Sequence, residues 1–397
     1  MPETKPNPPA RLPATVWALG FVSLFMDISS EMAHALLPLF LTGALGASAV
    51  MVGLVEGVGA ATGSMVKVFS GYFSDRLGRR KPLILLGYGL GALSKPLFAM
   101  AGSPLIVLAA RFSDRIGKGV RGAPRDALIA DVAPPAMRGR AFGLRQSLDT
   151  AGAVIGPLLA IGLLALFAGD MRAVFWIAVI PGAIAAALVL AAVREPPRDT
   201  ATAARAPIRW ADLRALPRAF WKVVLIGMVF MLARFSEAFL ILKASAAGLP
   251  LALAPLVLMV MNIVYAMGAW PAGILSDRLP AARLLLISLF ALCAADMLLA
   301  TSSALPGVFA GVVLWGAHMA LSQGLLSKLV ADRAPTELRG SAFGLFNLFS
   351  GLALLCASLL AGLVWQWFGP ASTFLTGAAI GLLAALLVLA LLRPETG

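Results

Sequence analysis

The sequence predicts an all-α membrane protein of about twelve transmembrane helices, folded as two pseudo-symmetric six-helix bundles. Three observations predict it. Hydrophobic residues make up 60% of the chain, charged residues 13%, and the mean hydropathy is +0.91, too few polar side chains to cover a soluble globule of 397 residues. Apolar stretches of roughly 20 residues recur from Ala14 to the C-terminus; lipid makes the backbone satisfy its own hydrogen bonds, which helices do, whereas a barrel would show short alternating strands. Finally, the halves repeat. Gly71-Tyr-Phe-Ser-Asp75-Arg76-Leu77 returns as Gly273-Ile-Leu-Ser-Asp277-Arg278-Leu279, an offset of 202 residues (277 minus 75), and Ala130-Asp131 through Arg138 to Gly143 returns as Ala331-Asp332 through Arg339 to Gly344 at 201 (339 minus 138).

In chain order, residues 1–13 form a Pro-rich segment unlike a signal peptide, expected to be a disordered cytoplasmic tail. The first bundle, 14–193, holds spans 14–42, 48–74, 81–101, 104–132, 139–167 and 171–193. A basic cytoplasmic linker, 194–218, is punctuated by Pro196, Pro197, Pro207 and Pro217. The second bundle, 219–393, holds spans 219–246, 250–275, 281–301, 304–331, 338–367 and 371–392. Alternate connections collect the cations: Arg76 to Lys81, Arg138 and Arg140, Arg194 to Arg218, Arg278 and Arg283, Arg333 and Arg339, and Arg393. The opposite side holds only Arg172, so both termini are expected in the cytoplasm of a bacterial inner-membrane protein. The formal charge of +13 does not indicate nucleic acid, because the basic residues fall between apolar segments rather than on an aromatic-interleaved polar domain.

Gly71 through Asp75, Arg76, Gly78, Arg79, Arg80 and Lys81 resembles the signature loop between helices two and three of the major facilitator superfamily. Arg115-Ile-Gly-Lys118-Gly119-Val-Arg121-Gly122 resembles that family's fourth-helix motif, with Lys118 where a glutamine is usual. Gly152-Ala-Val-Ile-Gly156-Pro157 resembles in part its fifth-helix antiporter motif, with Ala160 and Ile161 where a glycine pair is expected. The resemblance implies two bundles rocking about a central site lined by the first, fourth, seventh and tenth helices. Independently of it, Asp75 at a helix end can cap a neighbouring helix or accept from an arginine, Gly78 permits a sharp turn, and Arg79, Arg80 and Lys81 can anchor to anionic headgroups. A gate is therefore expected at this loop and, more weakly, at Asp277 and Arg278, where Pro280 replaces the glycine.

Depth selects among the intramembrane charges. At 1.5 Å per residue, Arg111 lies about 10 Å and Arg115 about 16 Å inside the outer boundary, and Asp27, counted from the inside, lies level with Arg111. Glu31 stands one turn above Asp27, and Arg234 and Glu237 reach a similar level on the seventh helix. Asp27, Glu31, Arg111, Arg115, Arg234 and Glu237 are accordingly the expected central site, with Arg111 as counter-ion of Asp27 and Glu31 as proton carrier; static ion pairs locking helices are the alternative. Lys118, Arg121 and Arg125 are expected to snorkel toward the cytoplasm. Glu56, Lys67 and Lys95 read as structural pairs, and Arg145 with Asp149 as an i,i+4 structural or gating pair. Asn262, Tyr265, Trp315, His318, Gln323 and Asn347 are possible cavity lining.

His34, His318, Met228 and Met231 form no tight metal-ligand cluster in sequence, Cys293 and Cys356 give no disulfide pattern, and there is no Walker loop or nucleophile and base constellation. The expectation is a non-enzymatic secondary transporter without cofactor or metal, a monomer in the lipid bilayer that exports a small-molecule substrate coupled to protons. The alternatives are a facilitator or importer of an organic anion and, further off, a metal-ion transporter or a non-transporting receptor.

Overall fold

The computed structural model describes residues 12–77, 79–134, 137–196, 216–335 and 338–391, apart from the side chains at positions 72, 75, 76, 270, 277, 323, 324, 327 and 339–341. Most of the expected tail and of the linker therefore lies outside the described residues, as do Gly78 and the side chains of Asp75, Arg76, Asp277 and Gln323.

The first half runs through α1 (Ala14–His34), α2 (Ala49–Leu77), α3 (Lys81–Met100), α4 (Pro104–Val132), α5 (Arg138–Leu166) and α6 (Met171–Ala192). The second has α7 in two pieces, Arg218–Ala233 and Ala238–Ala246, then α8 (Leu256–Arg278), α9 (Ala281–Thr301) and α10 (Leu305–Arg333). A last helical run, Arg339–Leu391, is divided by Gly369 (φ 83°, ψ 175°) into α11 (339–368) and α12 (370–391). Local chemistry explains the boundaries. Prolines occupy the first turns of α3, α4 and α10, where a missing N–H costs nothing, and the Asp170 carboxylate accepts from the N–H groups of Arg172 (2.9 Å) and Ala173 (3.3 Å) to start α6. Ten helical stretches among the described residues are long and apolar enough to cross a membrane; one of them, Ala342–Leu391, is 50 residues long and holds two crossings. The helix α4 lies outside that set because it carries charges at Arg111, Asp114, Arg115, Lys118, Arg121, Arg125, Asp126 and Asp131. In hydrocarbon such a helix must turn those groups toward other helices or water.

Two spans expected to be continuous are broken. After His34 the chain turns through Ala35 and Leu36 into a short helix, Leu37–Leu39, and a π-helical turn, Phe40–Ala44. In α7 the helix stops at Arg234, whose φ of −104° and ψ of 80° are not helical, and restarts at Ala238. His34 and Ser236 stand at the 202-residue repeat offset, so both halves interrupt their first helix at the same place, and the freed backbone of such interruptions commonly marks a transporter's site.

The core has three parts. On the side away from the chain ends, one continuous hydrophobic cluster joins both halves, from Met32 and Val55 to Phe239, Trp315 and Phe374. On the side of the chain ends, each half keeps its own cluster: Val16, Leu19, Tyr88 and Val189 in the first, Phe220, Leu285, Leu329 and Val388 in the second. The joined side is drawn tight where α2 meets α11. A Cβ on Gly53 would strike the Ser358 carbonyl, and one on Gly362 would lie 2.7 Å from the Ala49 carbonyl oxygen, so the two backbones approach as only glycine allows.

Candidate functional site

Between the two end-side clusters lies a charged cavity of two adjoining chambers. The deeper, about 370 Å³, is lined by Asp27, Glu31, His34, Glu56, Arg111 and Arg115 from the first half and Arg234, Glu237, Asn262 and Tyr265 from the second. The outer chamber, about 460 Å³, shares Asp27, Arg115, Lys118 and Asp149 with it and adds Lys67, Arg121, Arg125, Asp126, Arg145 and Asn347. All six expected central-site residues thus face one chamber.

Their pairing differs from expectation. Arg111 Nη2 donates to Glu56 Oε2 at 2.7 Å, both side chains almost wholly buried, so the counter-ion of Arg111 is Glu56 and not Asp27. Counting from the outer ends, Glu56 is seven residues into α2 and Arg111 seven into α4, about 10 Å deep in each case. Depth placed Asp27 at the right level on the wrong azimuth. A Cβ on Gly152 would lie 3.0 Å from Asp27 Cβ, and one on Gly156 2.9 Å from Glu31 Cβ, so these buried glycines, next to Pro157, seat α1 against α5 and turn Asp27 toward Asp149. Both carboxylates line the same two chambers.

A chain of groups leads on from Arg111. His34 Nε2 is 3.4 Å from Glu56 Oε2, and His34 Nδ1 is 3.7 Å from Glu31 Oε2. From the second half, the Ser236 hydroxyl at the α7 break donates to the same Glu56 oxygen at 3.5 Å, and Arg234 pairs with Glu237 at 3.5 Å. Glu56 Oε1, Arg111 Nε and Arg115 Nε are buried without a hydrogen-bond partner. A ligand, water or rearrangement would satisfy them. Glu56 is not among the expected site residues because depth is weighed only on the first, fourth and seventh helices, and the same arithmetic on the second finds it; His34, at the end of the first helix, is considered there only as a metal ligand.

Further residues fall elsewhere than expected. Lys118 is exposed on the cavity, whereas Arg121 is buried over the Tyr88 ring (4.7 Å to the centroid) and donates to the Gly87 carbonyl, and Arg125 donates to Ser23 (3.0 Å) and Asp126 (3.1 Å); the two arginines do not snorkel. Trp315 and His318 do not line the cavity: Trp315 packs against Phe235, and His318 Nδ1 lies 2.9 Å from the Ser288 hydroxyl and carbonyl oxygens. Arg145 reaches Asp149 at 3.6 Å and Asp126 at 3.4 Å. Lys95, fully buried, pairs with Asp114 at 2.8 Å and donates to Ser30 at 3.2 Å. In the signature loop, Gly71 is half-buried beside Ala123 and Arg79 is exposed, but Arg80 does not reach headgroups: it is buried and holds Asp131 at 2.7 Å. The Arg80 and Lys81 backbone N–H groups donate to Glu195 at 2.5 and 3.0 Å, so a carboxylate three residues past the end of α6 caps α3. Arg278, the second-half counterpart of Arg76, is exposed at the end of α8.

Known proteins agree with this architecture. The family model described as Major Facilitator Superfamily matches residues 19–353 and 238–397. An uncharacterized MFS-type transporter of Methanocaldococcus jannaschii is 31% identical over 388 residues, covering 95% of each chain. Multidrug resistance protein MdtH of Edwardsiella ictaluri is 28% identical over 333 residues, 81% of this chain and 79% of that one. Among solved structures, an inward-facing, occupied bacterial homolog of the human lysosomal transporter Spinster superposes with a TM-score of 0.73 at 17% identity, covering 95% of this chain and 96% of that chain. With matching halves, a helical break at the same place in each, and a charged cavity between two bundles, the chain belongs to the Major Facilitator Superfamily.

Proposed function

We propose that this transporter exports a small organic solute in exchange for protons, as a monomer in a bacterial inner membrane with both termini cytoplasmic. The observation that carries it is the asymmetry of closure: one hydrophobic cluster joins the halves on one side, and two separate clusters flank a charged cavity on the other. Because the basic loops lie on the open side, that side is cytoplasmic and the conformation inward-open. One chain supplies both cavity walls, so no second copy is needed. Glu31 is the proton carrier, since it faces His34 and has no arginine within ion-pair distance among the described residues, whereas Glu56 is held by Arg111. His34 and Glu56 then link the proton to the cation that lines the solute chamber. The multidrug name of the MdtH relative supports efflux. The Asp75 and Asp277 loops act as gates that stabilise one conformation, and the Arg80 to Asp131 bridge supports the first of them.

The test is flux in proteoliposomes with a fluorescent organic cation and a fluorescent organic anion as probes. Expected is cation flux accelerated by an imposed pH gradient, with the acceleration lost in Glu31→Gln while probe binding persists; flux indifferent to the gradient would overturn the coupling. A second reading, an organic-anion facilitator, is favoured by Arg115, whose Nε is unpartnered and 3.9 Å from Asp114, and by Lys118, which has no ion pair within 4 Å among the described residues. In that case Arg115→Ala would abolish anion flux and pH would not matter, as an arginine fork suits a carboxylate or phosphate and not a cation.

A further inference from the structure

One acidic side chain takes no part in the cavity. Asp296, five residues before the C-terminal end of α9, is fully buried, and neither carboxylate oxygen has a hydrogen-bond partner. Its surroundings are apolar and tightly fitted. A methyl group placed on Gly377 of α12 would lie 2.6 Å from Asp296 Oδ2 and 2.9 Å from Phe235 Cε1, so the carboxyl and the phenyl ring meet against that glycine. One turn along, Gly381 makes room in the same way for Cys293 of α9. Phe235 is the residue after Arg234 in the break of α7, and it also lines the deeper chamber. The ring therefore stands between a buried carboxyl and the cavity, on the non-helical stretch of α7, packed on Phe239, Trp315 and Phe374.

The other titratable groups on the elements packed around Asp296 are occupied or remote from it. On α9 the Cys293 thiol donates to the Ala378 carbonyl at 3.5 Å. On α10 His318 is held at Ser288, and Lys328, Asp332 and Arg333 lie near the chain-end side of that helix. At the break Arg234 and Glu237 pair with each other, and α12 carries no ionisable residue. No cation among the described residues balances Asp296, and an isolated carboxylate in hydrocarbon costs several kcal/mol. We infer that Asp296 is a proton-binding site in the second bundle, separate from the central acids, which holds its proton in the inward-open state and exchanges it with cavity water when Phe235 swings aside at the α7 break. The exchange is balanced: the carboxylic acid gives its proton to a cavity water and recovers one from hydronium. This rests on the proposed alternating access only in supposing that the α7 break moves; it requires neither efflux nor Glu31.

Infrared spectroscopy on the purified full-length protein tests it without any solute or flux measurement. The difference spectrum between the parent and Asp296→Asn should show the loss of one protonated-carboxyl component at neutral pH, and Asp296→Glu should shift that component, the second variant covering a misfolded first. On transfer to heavy water the band should exchange slowly in the parent and at least about tenfold faster in Phe235→Ala, because removing the ring opens the local barrier. A spectrum unchanged by both Asp296 variants would show an ionised side chain and overturn the site. Exchange unaltered by Phe235→Ala would overturn the route through the cavity.

Discussion

The two bundles share a fold and divide the electrostatics unequally. The first is laced with ion pairs across its helices: Lys95 with Asp114, Arg111 with Glu56, Arg125 with Asp149, Arg145 with Asp126, and Arg80 with Asp131. In the second, the one pair among the described residues is local, Arg234 with Glu237, and buried polar atoms of Asp296, Trp315 and His318 are left without partners. At the repeat offset Ser94, beside the Lys95 to Asp114 pair, corresponds to Asp296, so an ion pair in one half answers to a lone acid in the other. Duplication preserved helix count and breaks while charge diverged. A bundle cross-linked by buried pairs resists internal rearrangement, whereas one held by apolar contacts can shift at its broken helix; the difference assigns rigidity to the first bundle and mobility to the second.

The largest expected effect breaks that comparison most directly. Lys95→Met or Asp114→Asn strands a buried charge and should lower stability by about 3 to 5 kcal/mol, with the double variant milder than either single. Asp296→Leu removes an isolated carboxyl and should be neutral or slightly stabilising, by up to about 2 kcal/mol. Unfolding in detergent followed by tryptophan fluorescence measures both. Equal losses in the two bundles would erase the asymmetry.

A smaller effect sharpens the pairing within the cavity. A double-mutant cycle on Arg111→Ala and Glu56→Gln should give a coupling energy of about 1 to 3 kcal/mol, and the same cycle on Arg111 and Asp27 close to zero, because additivity holds for groups that do not touch. Coupling to Asp27 as large as to Glu56 would mean that Arg111 changes partner between conformations.

These particulars show what could be read from sequence. The span list lies within a few residues of the helices, because apolar length and prolines act locally, and the six central residues share one chamber because helix rise fixes depth. Azimuth was illegible: the rise says how deep Asp27 lies, but only the Gly152 and Gly156 contacts decide that it faces α5 rather than Arg111. The break at Arg234 is also hidden, since no proline or glycine stands there and the hydropathy runs on, whereas the break after His34 has a signal in Pro38, which has no N–H to give the His34 carbonyl. Arg121 and Arg80 look like surface cations by position and become buried ones through partners distant in sequence, Tyr88 and Asp131.

The smallest effect concerns the chain-end face, where the bundles differ again. The helix α3 begins with its Arg80 and Lys81 N–H groups capped by the Glu195 carboxylate, and Arg80 reaches on to Asp131 at the end of α4. The corresponding helix of the second bundle, α9, starts after Pro280 with no side-chain cap, position 282 is alanine, and Asp332 is exposed. Losing a charged cap should cost about 1 kcal/mol, so Glu195→Ala should destabilise by that much. Asp131→Ala should cost no more than about 1 kcal/mol, since its carboxylate is partly open to water at 33% exposure. Asp332→Ala should cost nothing measurable. Hydrogen exchange at the first turns of α3 and α9 gives the most local reading: protection at α3 should fall to the level of α9 in Glu195→Ala, leaving α9 unchanged. If α3 keeps its protection without Glu195, the cap is incidental, and the rigidity of the first bundle at this face must come from its ion pairs alone.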